Sequence, residues 1–207
     1  MTKSVMWKRV GIVAVALTVA GAGLFIAIPS SHAATSFPPK GTYNPCSGLK
    51  THPIAIPGGP IFTSTTSGGI GVVVGDSFQT SDKRNGTTLV IQGLKSSGQV
   101  DGFGFVEIGI DQTRSAGPST LVANQVGSDY PATQTMRFYP TVTVDGRPFQ
   151  AMDVATLTNT AVTSTPPEIG TVYVLTNDVR MESPDNPGTV AFVIKPSKAF
   201  TVTGHNF

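Results

Sequence analysis

Residues Val100–Asp111 alternate with a period of two. Gly104, Val106, Ile108 and Ile110 fall on one face; Phe103, Phe105, Glu107, Gly109 and Asp111 fall on the other. That period belongs to a β-strand, and apolar residues on both faces predict a central one. Beyond residue 33 no segment carries a sustained apolar stripe at helical spacing. About ten short strands, spaced roughly 8–12 residues apart, are expected instead. The fold class expected is therefore all-β. An antiparallel β-sandwich is the leading form, with a barrel or jelly roll as alternatives.

Gly, Pro, Asn and Asp punctuate the chain. Residues 34–51 contain Pro38-Pro39, Gly41, Pro45 and Gly48 and read as an extended lead-in or linker; 52–207 read as a single β-sandwich domain. Pro53–Ile56 suits a short edge strand, and Gly69–Val74 a buried one. Ser81–Gly86 reads as a hairpin loop ending in Asn85-Gly86. Ser96-Ser97-Gly98 is expected to turn the chain into the strand at 100–111, and Gly127–Thr133 to be loop. The clearest hairpin joins Thr135–Val144 to Arg147–Met152, because Asp145-Gly146 tolerates the positive φ angles of a type I′ turn.

The first 33 residues read as a signal peptide with a signal helix. Lys3, Lys8 and Arg9 precede an uncharged apolar run from Val10 to Ile28, and Ser31 and Ala33 fit a small-residue cleavage site. The apolar run is longer than the usual ~7–15 residues and close to the ~20 that span a bilayer, so an uncleaved anchor is the alternative. Secretion or cell-surface display through the general secretory pathway is expected. Without the three leader cations, 11 of the 14 Lys and Arg face 12 Asp and Glu, a formal charge of −1. That balance offers nothing to nucleic acid, which calls for a basic stripe. Any membrane contact is expected only through the N-terminal segment. Cys46 is the sole cysteine. It cannot form an intrachain disulfide; a packed thiol or pairing between chains is expected.

Val72–Phe78 carries a strand running into Gly75-Asp76-Ser77. These few residues resemble the nucleophile block of GDSL-type esterases. The resemblance implies a serine hydrolase using Ser77, with Asp178 and His205 as partners. The family's later blocks are not matched: Leu175-Thr176-Asn177-Asp178 lacks the glycine, Val202 stands where an aspartate precedes the histidine, and the helices of that α/β fold have no counterpart. Glu107 and Asp111 share a face, but four residues along a strand separate them by about 13 Å, beyond the ~5–9.5 Å of paired glycosidase carboxylates.

His52, His205 and Cys46 match no zinc spacing. Asp129 and Asp185, in Asp/Asn-rich loops, are the calcium candidates, though neither loop resembles an EF-hand; Asx turns are the plainer reading. The only tryptophan, Trp7, lies in the leader, which weakens a case for sugar stacking. Asn85-Gly86-Thr87 fits an N-glycosylation sequon. Lys83-Arg84 are too few for a polyanion site. No cofactor is expected. The function expected is an exported non-catalytic domain, structural, adhesive or binding an unknown protein or glycan. The alternatives are the Ser77 hydrolase and a β-barrel enclosing a small apolar ligand.

Overall fold

The computed structural model describes residues 36–206; the expected leader, its helix and its cleavage site lie outside them. Thirteen strands follow in order: β1 (Tyr43–Ala55), β2 (Ile61–Gln79), β3 (Asn85–Val100), β4 (Gly104–Ile110), β5 (Ser119–Gln125), β6 (Ser128–Phe138), β7 (Pro140–Val144), β8 (Arg147–Ala151), β9 (Ala155–Val162), β10 (Val172–Leu175), β11 (Val179–Glu182), β12 (Val190–Ile194) and β13 (Ser197–Gly204). Among the described residues there is no helix. All pairings are antiparallel and belong to one sheet, so the all-β antiparallel expectation holds.

The pairings close that sheet on itself. β1, β2 and β3 run unbroken. β4 and β5 both pair with β3, at Ser96–Val100 and Gly86–Leu89 respectively, and so form two halves of one stave. β6–β7, β8–β9, β10–β11 and β12–β13 are divided staves of the same kind. Three whole and five divided staves make eight, each beside its neighbour in sequence. The eighth returns to the first, because β1 pairs with β12 at Ile54–Ala55 and with β13 at Ser47–Leu49. This is the up-and-down barrel form of the expected class. Eight staves leave an interior just wide enough for side chains or one small ligand.

Alternation decides what enters that interior. On β4, Val106 and Ile108 are buried while Phe105 and Glu107 are exposed. The strand is therefore one-sided, because one face of every stave meets the lumen and the other meets solvent. Ile110 packs against the core only partly.

Several sequence expectations are corrected. Residues 43–51 are not a linker but the first part of β1, paired with β2 residue by residue from Tyr43 to Ala55. Pro53–Ile54 belongs to the same stave rather than to an edge. Asn85 and Gly86 open β3; the hairpin turn is Thr80–Arg84, where Lys83 takes φ 65° and Thr80 N donates to Arg84 O at 2.9 Å. Ser96–Gly98 continues β3 instead of ending it. An added Cβ on Gly98 would lie 2.5 Å from the Thr65 carbonyl oxygen, so this glycine serves close backbone approach rather than a turn. The chain reverses at Asp101–Phe103. Ser128–Thr133 is strand, after a turn at Val126-Gly127. The Asp145-Gly146 hairpin is as expected, with φ 48° and 79°.

One end of the barrel, called upper here, carries the 80–84 turn, residues 36–42 and the 163–171 loop; the lower end carries the 101–103 and 145–146 turns. The lower end is filled by aromatic rings: Phe103 lies 5.3 Å from Phe62 and 5.4 Å from Phe192, which lies 5.1 Å from Phe149.

Candidate functional site

The residues proposed for a hydrolase belong to three different staves. Ser77 is exposed near the end of β2, in register with Thr87. Asp178 precedes β11, and its carboxylate takes a salt bridge from Lys195 Nζ at 2.7 Å. His205 follows β13, and its Nε2 donates to the Pro167 carbonyl at 2.8 Å. No hydrogen bond joins any two of them among the described residues.

The calcium candidates have other duties. Asp129 accepts from Phe37 N and from Asn85 Nδ2, each at 2.7 Å, and so ties the N-terminal segment to β3. Asp185 sits in an exposed turn, its amide donating to Ser183 Oγ at 3.3 Å. Among the described residues no cluster of three metal-capable His, Cys, Asp or Glu side chains occurs.

The lumen holds the unusual chemistry. The even-numbered residues of β1 point inward: Asn44, Cys46, Lys50, His52 and Ile54 are all buried, while Leu49 is 48% exposed. Lys50 is only 4% exposed and His52 9%. Neither Lys50 Nζ nor His52 Nδ1 has a hydrogen-bond partner in the protein, and the same holds for Ser64 Oγ and Asn44 Nδ2. Buried polar groups are usually paired, and a buried charge without a partner is costly.

These groups form one wall. Lys50 faces Thr66 across the β1–β2 ladder and His52 faces Ser64. Thr66 Oγ1 accepts from Ser96 Oγ at 2.7 Å on the next stave. Lys50 and His52 line a cavity of about 40 Å3 whose other walls are apolar, among them Phe138, Leu157, Leu175 and Ile194. One water needs ~10–15 Å3; the space suits a few waters or a compact group of similar size. No acidic residue lines it.

Charge states follow from burial. Desolvation lowers Lys50 from 10.5 to about 8. It also lowers His52 from 6.5 to about 4, with the neighbouring Lys50 charge adding to the effect. Near neutral pH the wall thus presents one ammonium beside a neutral imidazole. The aromatic face of Phe200, its centroid 5.0 Å from Lys50 Nζ, is the nearest compensation.

Phe200 and Ile70 also line a second, upper cavity of about 20 Å3, with Cys46, Gln134 and Tyr173. Tyr173 Oη donates to Gln134 Oε1 at 2.7 Å. Burial pushes the Cys46 thiol up to about 11. Cys46 is a free thiol buried inside the barrel. Thr165 and Pro167 close this cavity from above. Their loop is pinned by Tyr130 Oη donating to Thr165 Oγ1 at 2.6 Å and by the His205 bond to Pro167.

Reading the sequence alone misses Lys50 and weighs His52 only as a metal ligand. The β1 sequence carries no clean period-two signal, since Ser47 and Thr51 on the other face are polar too and apolar Leu49 is exposed.

No known protein-family profile matches the chain, and no curated protein sequence does. Among solved structures the chain is similar to DynF from the dynemicin biosynthesis pathway of Micromonospora chersina, at 17% identity and a TM-score of 0.65, covering 81% of this chain and 82% of that one. At that identity the likeness concerns the fold.

Proposed function

We propose that the chain is an exported, non-catalytic barrel that binds a small ligand in its lumen, with the ligand's anionic group on Lys50. The observation that carries this reading is the Lys50 ammonium: buried, without an acceptor in the protein, and lining a cavity with no carboxylate. A bound carboxylate supplies the missing counter-charge and acceptor. His52 Nδ1 and Ser64 Oγ are further polar groups on the same wall, and the apolar side accommodates a short alkyl tail. The size of the cavity points to ligands near propionate in bulk, not to the larger molecules that fill pockets of ~300 Å3 and more. Export rests on the character of the first 33 residues.

Thermal unfolding and calorimetry with an acetate, propionate and butyrate series test the reading. Saturable binding at pH 7 is expected, with a rise in Tm that follows ligand concentration. Binding should weaken as pH passes about 8, where free Lys50 loses its proton. Lys50→Met should abolish the response. An equal response in wild type and Lys50→Met, or none in either, overturns it.

A further inference from the structure

The barrel wall has a gap. The fourth stave stops at Ile110 and resumes at Ser119, and residues 111–118 leave the sheet. β3 pairs with β5 up to Leu89 and with β4 from Ser96. Between them, Val90–Lys95 has no ladder partner on that side among the described residues. A side chain bridges part of the opening: Gln112 Nε2 donates to the Gln92 carbonyl at 2.7 Å.

A cleft of about 690 Å3 lies over this gap, beneath the 111–118 segment. Its floor touches the lumen. Phe138 lines both the cleft and the Lys50 cavity, and Leu89 lines both the cleft and the Cys46 cavity. At these points a single residue borders both spaces. The 163–171 loop crosses the upper end and four packed phenylalanines fill the lower one; a cleft of about 440 Å3 against Phe103, Phe149 and Phe192 shares no lining residue with either luminal cavity.

The mouth of the cleft is positive. Arg137 is exposed, and its guanidinium has no salt bridge among the described residues. Arg114 is fixed, stacked 3.5 Å from the Tyr139 ring centroid and donating to the Ala151 carbonyl at 2.5 Å. The one acid there, Asp111, accepts from Thr113 N at 2.9 Å and Thr113 Oγ1 at 2.6 Å.

We infer that this lateral cleft is an anion-docking site and the entrance to the lumen, with Arg137 drawing in the anionic group and Phe138 as the gate. The identity of the entrant rests on the luminal reading above; the route does not.

Cys46, the only thiol, lies inside and reports passage without any ligand. The rate of its modification is measured with three substituted-ethyl thiosulfonate reagents: neutral hydroxyethyl, anionic sulfonatoethyl and cationic trimethylammonioethyl. The anionic reagent should outpace the cationic one by about ten-fold, a modest case of electrostatic steering. Arg137→Gln should remove that preference while leaving the neutral rate unchanged. Phe138→Leu should raise all three rates. Tyr130→Phe, which loosens the upper loop, should not, and serves as the control for general destabilisation once each rate is compared with the variant's unfolding equilibrium. The inference fails if Tyr130→Phe accelerates labelling and Phe138→Leu does not, or if the charge preference survives Arg137→Gln. Failure of the carboxylate titration with labelling as expected would remove the luminal ligand and leave the entrance standing; the converse result would remove the entrance alone.

Discussion

Leu49 and Lys50 are neighbours with inverted fates: the apolar side chain faces water and the charged one is buried. Alternation along β1 forces the choice, since a one-residue shift in register would move every side chain to the opposite face. Holding Lys50 inside has a definite cost. Its shift from 10.5 to about 8 corresponds to roughly 3 kcal/mol at neutral pH. Lys50→Met is therefore expected to stabilise the ligand-free protein by an amount of that order, read by urea unfolding. A destabilised variant would mean that the ammonium is better compensated than the geometry shows. The same shift has a sign in pH. Below about 8 both folded and unfolded chains carry the Lys50 proton and the cost is present in full. Between about 8 and 10.5 the unfolded chain binds more protons, so stability rises with pH. Cys46 opposes this from pH 9, where the unfolded thiol ionises before the folded one. The net rise should thus be seen from pH 8 to 9 and vanish in Lys50→Met. On the acid side His52 costs stability as pH falls from 6.5 to about 4, and His52→Gln should flatten that limb. This site was scarcely legible in the sequence. A lysine between two glycine- and proline-rich stretches reads as solvated linker, and only the closure of the sheet turns that face inward.

At the scale of elements, legibility depended on what the glycines were doing. Asp145-Gly146 could be read at once, because two successive positive φ angles define its turn and few residue pairs accept them. Ser96–Gly98 could not. The same residue types serve there to let two backbones approach, which is set by the partner strand at Thr65 and not by local sequence. The period-two pattern of β4 gave the strand correctly but overstated its burial, since Phe105 on its outer face is 44% exposed. What the pattern did identify is the inward set. Ile108 packs in the core with Val106, opposite Val142 on β7. Ile108→Ala should cost about 2–5 kcal/mol, measured by urea or thermal unfolding; a loss well under ~1 kcal/mol would place the centre of the core elsewhere.

At the scale of the whole molecule, the ring has no free edge at its seam because β1 is covered by β12 below and β13 above. Ending the chain after Pro196 removes β13 and exposes both Ser47–Leu49 of β1 and the β10 strand. Exposed strand edges template association, so this truncated chain should scatter light as oligomers; a soluble monomer with an unchanged circular dichroism spectrum would contradict the closed ring. The seam also orders events in time. It joins β1 to β12 and β13, and so no nascent chain that stops short of β13 can complete the barrel. Until residues near 200 have been synthesised, the emerging polypeptide lacks the stave that holds its beginning in place. A chain proposed to cross a membrane as an extended thread gains from such a delay: its topology postpones closure of the barrel until β13 has been made.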